Sequence, residues 1–203
     1  MLDGTQKGTQ MPTPRTTPPP AMPTPADVAA QIAFEVGEQL DPIIALIGHH
    51  HAGPITTMSD ALHRELAGRA EEWADQLLDH TDVYRNALAR TIMRAINPWG
   101  VGRLSWWRTP LGLAIAPAII PTLSDLDTVS HADAAAILGV HRGTVARLSR
   151  GAIDRNPEGS LLLASVLTRL IRQTMVADAV STASAVVAPA TVTGVGLTGD
   201  IGD

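Results

Sequence analysis

Apolar residues recur at helical spacing through the first hundred positions. Thr24, Pro25 and Asp27 combine a capping hydroxyl, a proline suited to a first turn and an acid at the third place. Val28, Ile32, Val36 and Leu40 then follow at intervals of four. The spacing predicts a helix from there, with Pro42 kinking it or starting a fresh one before "IIALIG". A second helix is predicted from Met58 to about Leu78, with Thr57 and Asp60 as capping pair and Met58, Leu62, Leu66, Trp73 and Leu77 on or near one face. Thr81 is placed to cap a third, Asp82 to Ile96. Its stripe is Leu88, Ile92 and Ile96, which leaves Arg85, Arg90 and Arg94 to the remaining surface, and "NPWG" at 97–100 ends it. Thr109 and Pro110 open a further short helix just after Trp106 and Trp107, whose size suits them to anchor a junction by packing.

The pattern shortens beyond residue 124. Ser130 and Asp133 form a capping box, so a helix begins at His131 and runs to Gly139, the residue type that tolerates the positive φ needed to leave a helix abruptly. Ala135 is small enough for a second helix to cross closely, and Leu138, Val140, Val145 and Leu148 are apolar where two such helices face each other. After "SRG" come a short extended run, a turn at "NPEG", another extended run, and an amphipathic helix carrying Val166, Leu167, Leu170 and Ile171. Both ends read differently. Residues 1–23 are dominated by Pro and Thr and are expected to form a mobile arm, while 176–203 are poor in charge and rich in Gly, Thr and Ala, with only the alternation in "ATVTGVGL" hinting at a strand.

Composition sharpens the division. The 203 residues carry a formal charge of −5, which argues against coating nucleic acid through bulk positive charge. The distribution is uneven: residues 1–100 hold twelve acids and seven bases, residues 101–175 hold eight arginines and five acids, and the last segment holds three acids and no base. No cysteine is present, which excludes disulfides, thiolate zinc sites and cysteine nucleophiles. The start "MLDGTQKGTQ" lacks a secretory pattern, and "LGLAIAPAII" is shorter than the roughly 20 residues of a membrane span. A cytoplasmic protein without membrane association is expected.

The cationic residues gather on one predicted helix. His141, Arg142, Gly143, Thr144, Arg147 and Arg150 fall on the side opposite Val145 and Leu148, with Arg155 in the extended run behind them. A helix fits the major groove, arginine bonds guanine O6 and N7 with two hydrogen bonds, and a threonine hydroxyl near the helix start suits a phosphate or a thymine edge. Gly143 lets backbone and DNA approach. These seven residues are the expected DNA-binding set. The bland reading is a helical hairpin with a solvated arginine face.

"VSHADAAAILGVHRGTVARLSRGAIDRNPEGSLLLASVLTRLI" resembles the small winged helix-turn-helix domain of excisionases and MerR-type regulators, over about residues 128–172. The resemblance implies a short strand before the first helix. It places Ala134, Ala135, Leu138, Gly139 and Val140 in the first helix and turn, and Arg142, Thr144, Val145 and Leu148 in a recognition helix ending at Gly151. It also makes Glu158 and Gly159 the tip of the wing. Two positions depart from the family: His141 stands where a Ser or Thr cap is common, and the wing has no cation beyond Arg155. Nothing upstream resembles an effector domain.

Other chemistry finds less support. His49, His50 and His51 invite a metal, yet neighbours on a helix point about 100° apart and rarely converge on one ion, even with His63, Glu65, His80 or Asp82 assisting. A polar helix end is the simpler account. There is no GxSxG, phosphate-binding glycine loop or HExxH, so no catalytic residue, cofactor or metal ligand is assigned and an enzyme is not expected.

The expected fold is mainly α: an arm at 1–23, a helical domain at 24–100 that is a candidate for dimerisation, a Trp-containing junction at 101–123, a winged helix-turn-helix with a small β-hairpin at 124–175, and a low-complexity tail at 176–203. The expected function is sequence-specific binding of double-stranded DNA as a homodimeric transcriptional regulator, a repressor of a temperate phage or mobile element. The alternatives are an excisionase-like factor that bends DNA, an antitoxin-like autoregulator whose N-terminal helices hold another polypeptide, and a metal-dependent enzyme.

Overall fold

The computed structural model describes residues 17–48, 55–79, 81, 83–96 and 104–186, within which the chain is mainly helical with one small two-stranded antiparallel sheet. Helix α1 (Pro25–Gly48) starts where the sequence places it. The Thr24 hydroxyl accepts from the Asp27 N–H at 3.2 Å, and the Asp27 carboxylate accepts from the Thr24 hydroxyl at 2.6 Å and from its N–H at 3.3 Å. These bonds hold the Asp27 carboxyl below its ordinary pKa. The cap therefore contributes fully above the usual carboxylate range and fades as pH falls through the lowered folded value.

Several features of the helical half differ from the pattern. Helix α1 continues through Pro42 as one element. The proline removes one backbone bond, but Ile44 beyond it is buried, and the packing of α1 on α2 (Ile55–Leu78) is the most extensive helix contact in the fold. Helix α2 itself begins ahead of Thr57, so the Thr57–Asp60 pair lies inside its first turns instead of capping it. Its buried face is Leu66, Ala70, Ala74 and Leu77, while Leu62 is exposed. Alanines complete the stripe because α1 approaches closely. On the outer face Arg69 pairs with Glu72 at 2.9 Å and Glu65 at 3.1 Å, and these carboxylates raise its pKa.

Helix α3 (Arg85–Ile96) carries Ile92 and Ile96 inward as expected, with Leu88 half-buried. It begins at Arg85; Asp82 and the "NPWG" stop lie outside the described residues. Arg85 is not on the surface with Arg90 and Arg94. It is buried, its Nε donating to the Leu77 carbonyl at 2.6 Å and its terminal nitrogen to the Ala114 carbonyl at 3.4 Å. Leu77 belongs to the last turn of α2, where carbonyls lack intrahelical partners, and the guanidinium satisfies one of them. Burial lowers the Arg85 pKa and Asp79 partly offsets that shift, but a guanidinium remains charged.

The centre of the molecule is α4 (Pro110–Ile119), in which eight of the 10 residues are buried. A helix apolar on all sides belongs in the middle of a core, and α4 packs against α1, α2, α3 and the C-terminal helix α7 (Leu163–Val186). Thr109 caps it by accepting from the Gly112 N–H at 3.3 Å. Gln31 of α1 reaches across to accept from the Leu111 N–H at 2.8 Å and donate to the Thr109 hydroxyl at 2.8 Å. The preceding 3-10 turn, Leu104–Arg108, buries Trp106 and Trp107 edge to face with ring centroids 5.3 Å apart. Trp106 Nε1 donates to Glu35 at 3.0 Å. One apolar cluster runs from Val28 through Trp107 and Ile115 to Ile137, Leu161 and Leu170. The segment read as a junction thus supplies the middle of a core that both halves share.

The remaining elements are β1 (Thr128–Val129), α5 (His131–Leu138), α6 (Arg142–Leu148), β2 (Leu161–Leu162) and α7. Thr128 pairs with Leu162 and Val129 with Leu161. Val166, Leu167 and Leu170 of α7 are fully buried. The helix continues to Val186, so residues 176–186, read as tail, are helical; "ATVTGVGL" lies outside the described residues. The predicted arm is likewise fixed from Thr17 onward: the Thr17 N–H donates to the Gly139 carbonyl at 3.2 Å. Among the described residues no helix is long and apolar enough to cross a membrane.

Two glycines in helices predict opposite outcomes. A Cβ on Gly112 would lie 2.8 Å from the Trp107 Cα, whereas one on Gly68 would meet nothing within 4 Å. Gly112→Ala is expected to lower unfolding free energy by about 1–3 kcal/mol, and Gly68→Ala to raise it by about 0.5–1 kcal/mol, both read from denaturant melts.

Candidate nucleic-acid interface

The paired helices α5 and α6 are positioned by local bonds before any packing is counted. At the start of α5 the Ser130 hydroxyl accepts from the Asp133 N–H at 3.1 Å, and the Asp133 carboxylate accepts from the Ser130 N–H at 3.3 Å. At its end Gly139 adopts φ 64 and ψ 34. The Gly139 N–H bonds to the Ala136 carbonyl at 3.3 Å and the Val140 N–H to the Ala135 carbonyl at 3.1 Å. This is the paired closure by which a left-handed residue satisfies the last carbonyls of a helix.

Gly139 is required for a second reason. The Arg108 guanidinium lies where a Cβ on Gly139 would project, so any side chain would displace it. From that seat Arg108 donates to the Pro18 carbonyl at 2.5 Å, and burial lowers its pKa. The turn between α5 and α6 is therefore held by the 3-10 turn on one side and the Thr17–Pro18 segment on the other. Neither contact is local in sequence, and Arg108 carries no periodic signal that would have marked it.

Helix α6 is capped by an imidazole. His141 has extended dihedrals and its Nδ1 accepts from the Gly143 N–H at 3.1 Å, the role expected of Ser or Thr. The departure noted in the sequence is thus filled by chemistry of the same kind. Gly143 assists, because a Cβ there would sit 3.2 Å from His141 Nδ1. Val145 is fully buried, and Leu148 and Val140 pack on the core beside it.

The opposite side of α6 is cationic. His141, Arg142, Gly143, Arg147 and Arg150 are exposed and Thr144 is half-buried. The guanidinium groups of Arg142, Arg147 and Arg150 have no hydrogen-bond or ion-pair partner among the described residues. Arg155 is exposed too, but its guanidinium donates to the Ser149 hydroxyl at 2.6 Å, which fastens the following loop to the end of α6. Ser149, buried and absent from the sequence-derived set, in turn donates to the Ala146 carbonyl at 3.0 Å. The expected hairpin is reduced to a single bridge between Arg155 and Leu161, closed by a turn in which the Asn156 N–H donates to Ser160 at 2.9 Å and Gly159 takes φ 87. Continuous pairing of β2 is with β1 instead.

His49, His50 and His51 lie outside the described residues, as do His80 and Asp82. His63 lies 3.3 Å from Asp41 of α1, and among the described residues no group of three potential ligands could hold a metal. No protein-family model matches this sequence, and neither curated proteins nor solved structures give a match.

The Arg108 seat predicts coupling. Gly139→Ala is expected to destabilise by more than the about 1–2 kcal/mol of left-handed strain alone. In an Arg108→Ala background the excess should shrink, giving a double-mutant coupling of about 0.5–3 kcal/mol. Additive thermal melts would remove the seat from the account. For the cap, His141→Ala should cost about 0.5–2 kcal/mol and His141→Asn should recover most of it.

Proposed function

We propose that the protein is a sequence-specific, double-stranded DNA-binding transcriptional regulator, a repressor of the kind carried by temperate phages and other mobile elements. In this reading α5 and α6 are a helix-turn-helix and α6 enters the major groove. The sheet of β1 and β2, the Arg155–Leu161 loop and α7 complete a winged arrangement around them. The observation that carries the reading is the two-sided character of α6: Val145 is fully buried while Arg142, Arg147 and Arg150 stand in solvent without acceptors. Arg69 on α2, by contrast, is paired with two neighbouring carboxylates.

Each member of the set has a role in that arrangement. Arg142 and Arg147 can present paired N–H groups to guanine edges. Thr144, and the Nε2–H of a His141 whose Nδ1 is occupied by its cap, suit phosphate oxygens at the groove wall. Gly143 keeps the helix start slim, and Arg150 stands at the other end. Arg155, tied to Ser149, supports the loop more than it reaches outward. One helix of 7 residues reads few base pairs, so selectivity calls for a homodimer on half-sites about 10 bp apart or a multiple of that.

Selection from a random duplex pool should recover a motif with two-fold symmetry. Close direct repeats without promoter repression would instead support an excisionase-like role, and no recovered motif would sink the reading. On the selected site Arg142→Ala and Arg147→Ala should each cost about 1–3 kcal/mol of binding with altered base preference. Titration by fluorescence anisotropy would report it.

A further inference from the structure

A cleft of about 450 Å³ lies beside the C-terminal end of α6, and nothing in the set above uses it. One wall is formed by Gly151 and Ala152, which directly follow Arg150. The other is a single face of α7, where Ser165, Thr168, Arg169 and Arg172 recur at i, i+3, i+4 and i+7. This face is built, not incidental. The Ser165 hydroxyl accepts from the Asp154 N–H at 2.9 Å, which fixes its oxygen and leaves its own proton to donate. Arg169 Nε is buried without a hydrogen-bond partner, and an unpaired buried donor is costly unless an acceptor arrives from outside. Arg172 is exposed and has no partner among the described residues. Asp154 also lines the cleft, so the lining carries two positive charges and one negative. A Cβ on Gly151 would meet nothing within 4 Å, so the approach past that residue is open.

We infer that this cleft takes one backbone phosphate of the duplex, clamped by Arg169 and Arg172 with the Ser165 hydroxyl as a further donor, and so fixes where α6 sits along the groove. The inference rests on the DNA-binding reading above. Two guanidinium groups lining one cleft from the same helix face match a phosphodiester oxygen pair, and phosphate contacts set register without reading bases. Because the cleft adjoins the end of α6, the phosphate it holds lies at the edge of the recognised bases and not among them.

The test uses the full chain and the selected duplex, titrated across a salt series. Arg169→Gln with Arg172→Gln is expected to weaken binding roughly 10-fold or more near physiological salt, by the same factor on selected and random duplexes. The slope of log affinity against log salt should lose between about one and two units of its magnitude. Replacing single phosphates by neutral methylphosphonates should reveal one position at the edge of the site that weakens the wild type and leaves the variant unchanged. Arg172 is exposed, so Arg172→Gln alone carries the test if the double variant melts early. An unchanged slope, a loss confined to the selected duplex, or the absence of any such methylphosphonate position would overturn the clamp. If Arg142→Ala still weakened binding, the DNA-binding reading would survive that failure. A wild-type chain that bound no duplex would end both.

Discussion

The placement of α6 depends on a cation occupying the space beside a glycine. Arg108 reaches from the 3-10 turn into the position that a side chain on Gly139 would fill, and it bonds onward to the Pro18 carbonyl. Three separate stretches of chain meet there. A helix of 7 residues has too few internal bonds to hold itself together, so its direction is inherited from its neighbours. Val145 and Leu148 determine how α6 lies on the core, while the Gly139 turn determines where it starts. Any looseness at the turn would swing Arg142 and Arg147 together, since both ride on one rigid helix of about two turns, and Arg150 follows just beyond its end.

That dependence also explains why the core is not divided at the boundary drawn from composition. Trp106 and Trp107 precede Arg108 directly, and both are buried in the cluster that includes Val28 of α1 and Leu170 of α7. Gln31 and Glu35 of α1 bond to the same region, one to Thr109 and Leu111 and the other to Trp106. The helical half therefore buttresses the turn before α6 through polar bonds as well as through apolar packing. Trp106, buried with its indole nitrogen bonded to Glu35, specifies one arrangement more sharply than apolar contact alone, because sliding would strand that donor.

Features set by neighbours in sequence were legible, and features set by neighbours in space were not. The Thr24, Thr109 and Ser130 caps, the Gly139 exit and the inward stripe of Ile92 and Ile96 follow from spacing within a few residues. The cationic side of α6 was equally readable, because Val145 fixes the face by its period. Arg85 and Arg108 were missed because each satisfies a carbonyl or fills a void presented by a distant element, and a cation in an amphipathic pattern defaults to the surface. Helix α2 began early and kept Leu62 exposed because α1 packs on its alanines, which carry little weight in a hydrophobic pattern. His141 departs from the Ser or Thr usual at a cap, yet an imidazole Nδ1 reaches the same N–H when the second following residue is glycine.

A net charge of −5 is compatible with the role proposed for α6 once distance is considered. Exposed charges are largely screened beyond about 8 Å at physiological salt, so a phosphate against α6 responds to Arg142, Arg147 and Arg150 far more than to the acids of α2. Some of those acids are already engaged: Glu65 and Glu72 are neutralised in part by Arg69. The remaining negative field acts at longer range and opposes loose approach to any duplex. On the proposed DNA-binding reading, a chain so charged gains little from nonspecific attraction and draws its affinity from a few close contacts, each of which then matters for selectivity. That is the regime in which an unpaired arginine on α6 or facing the cleft on α7 has the largest effect, because no surplus of positive surface stands ready to replace it.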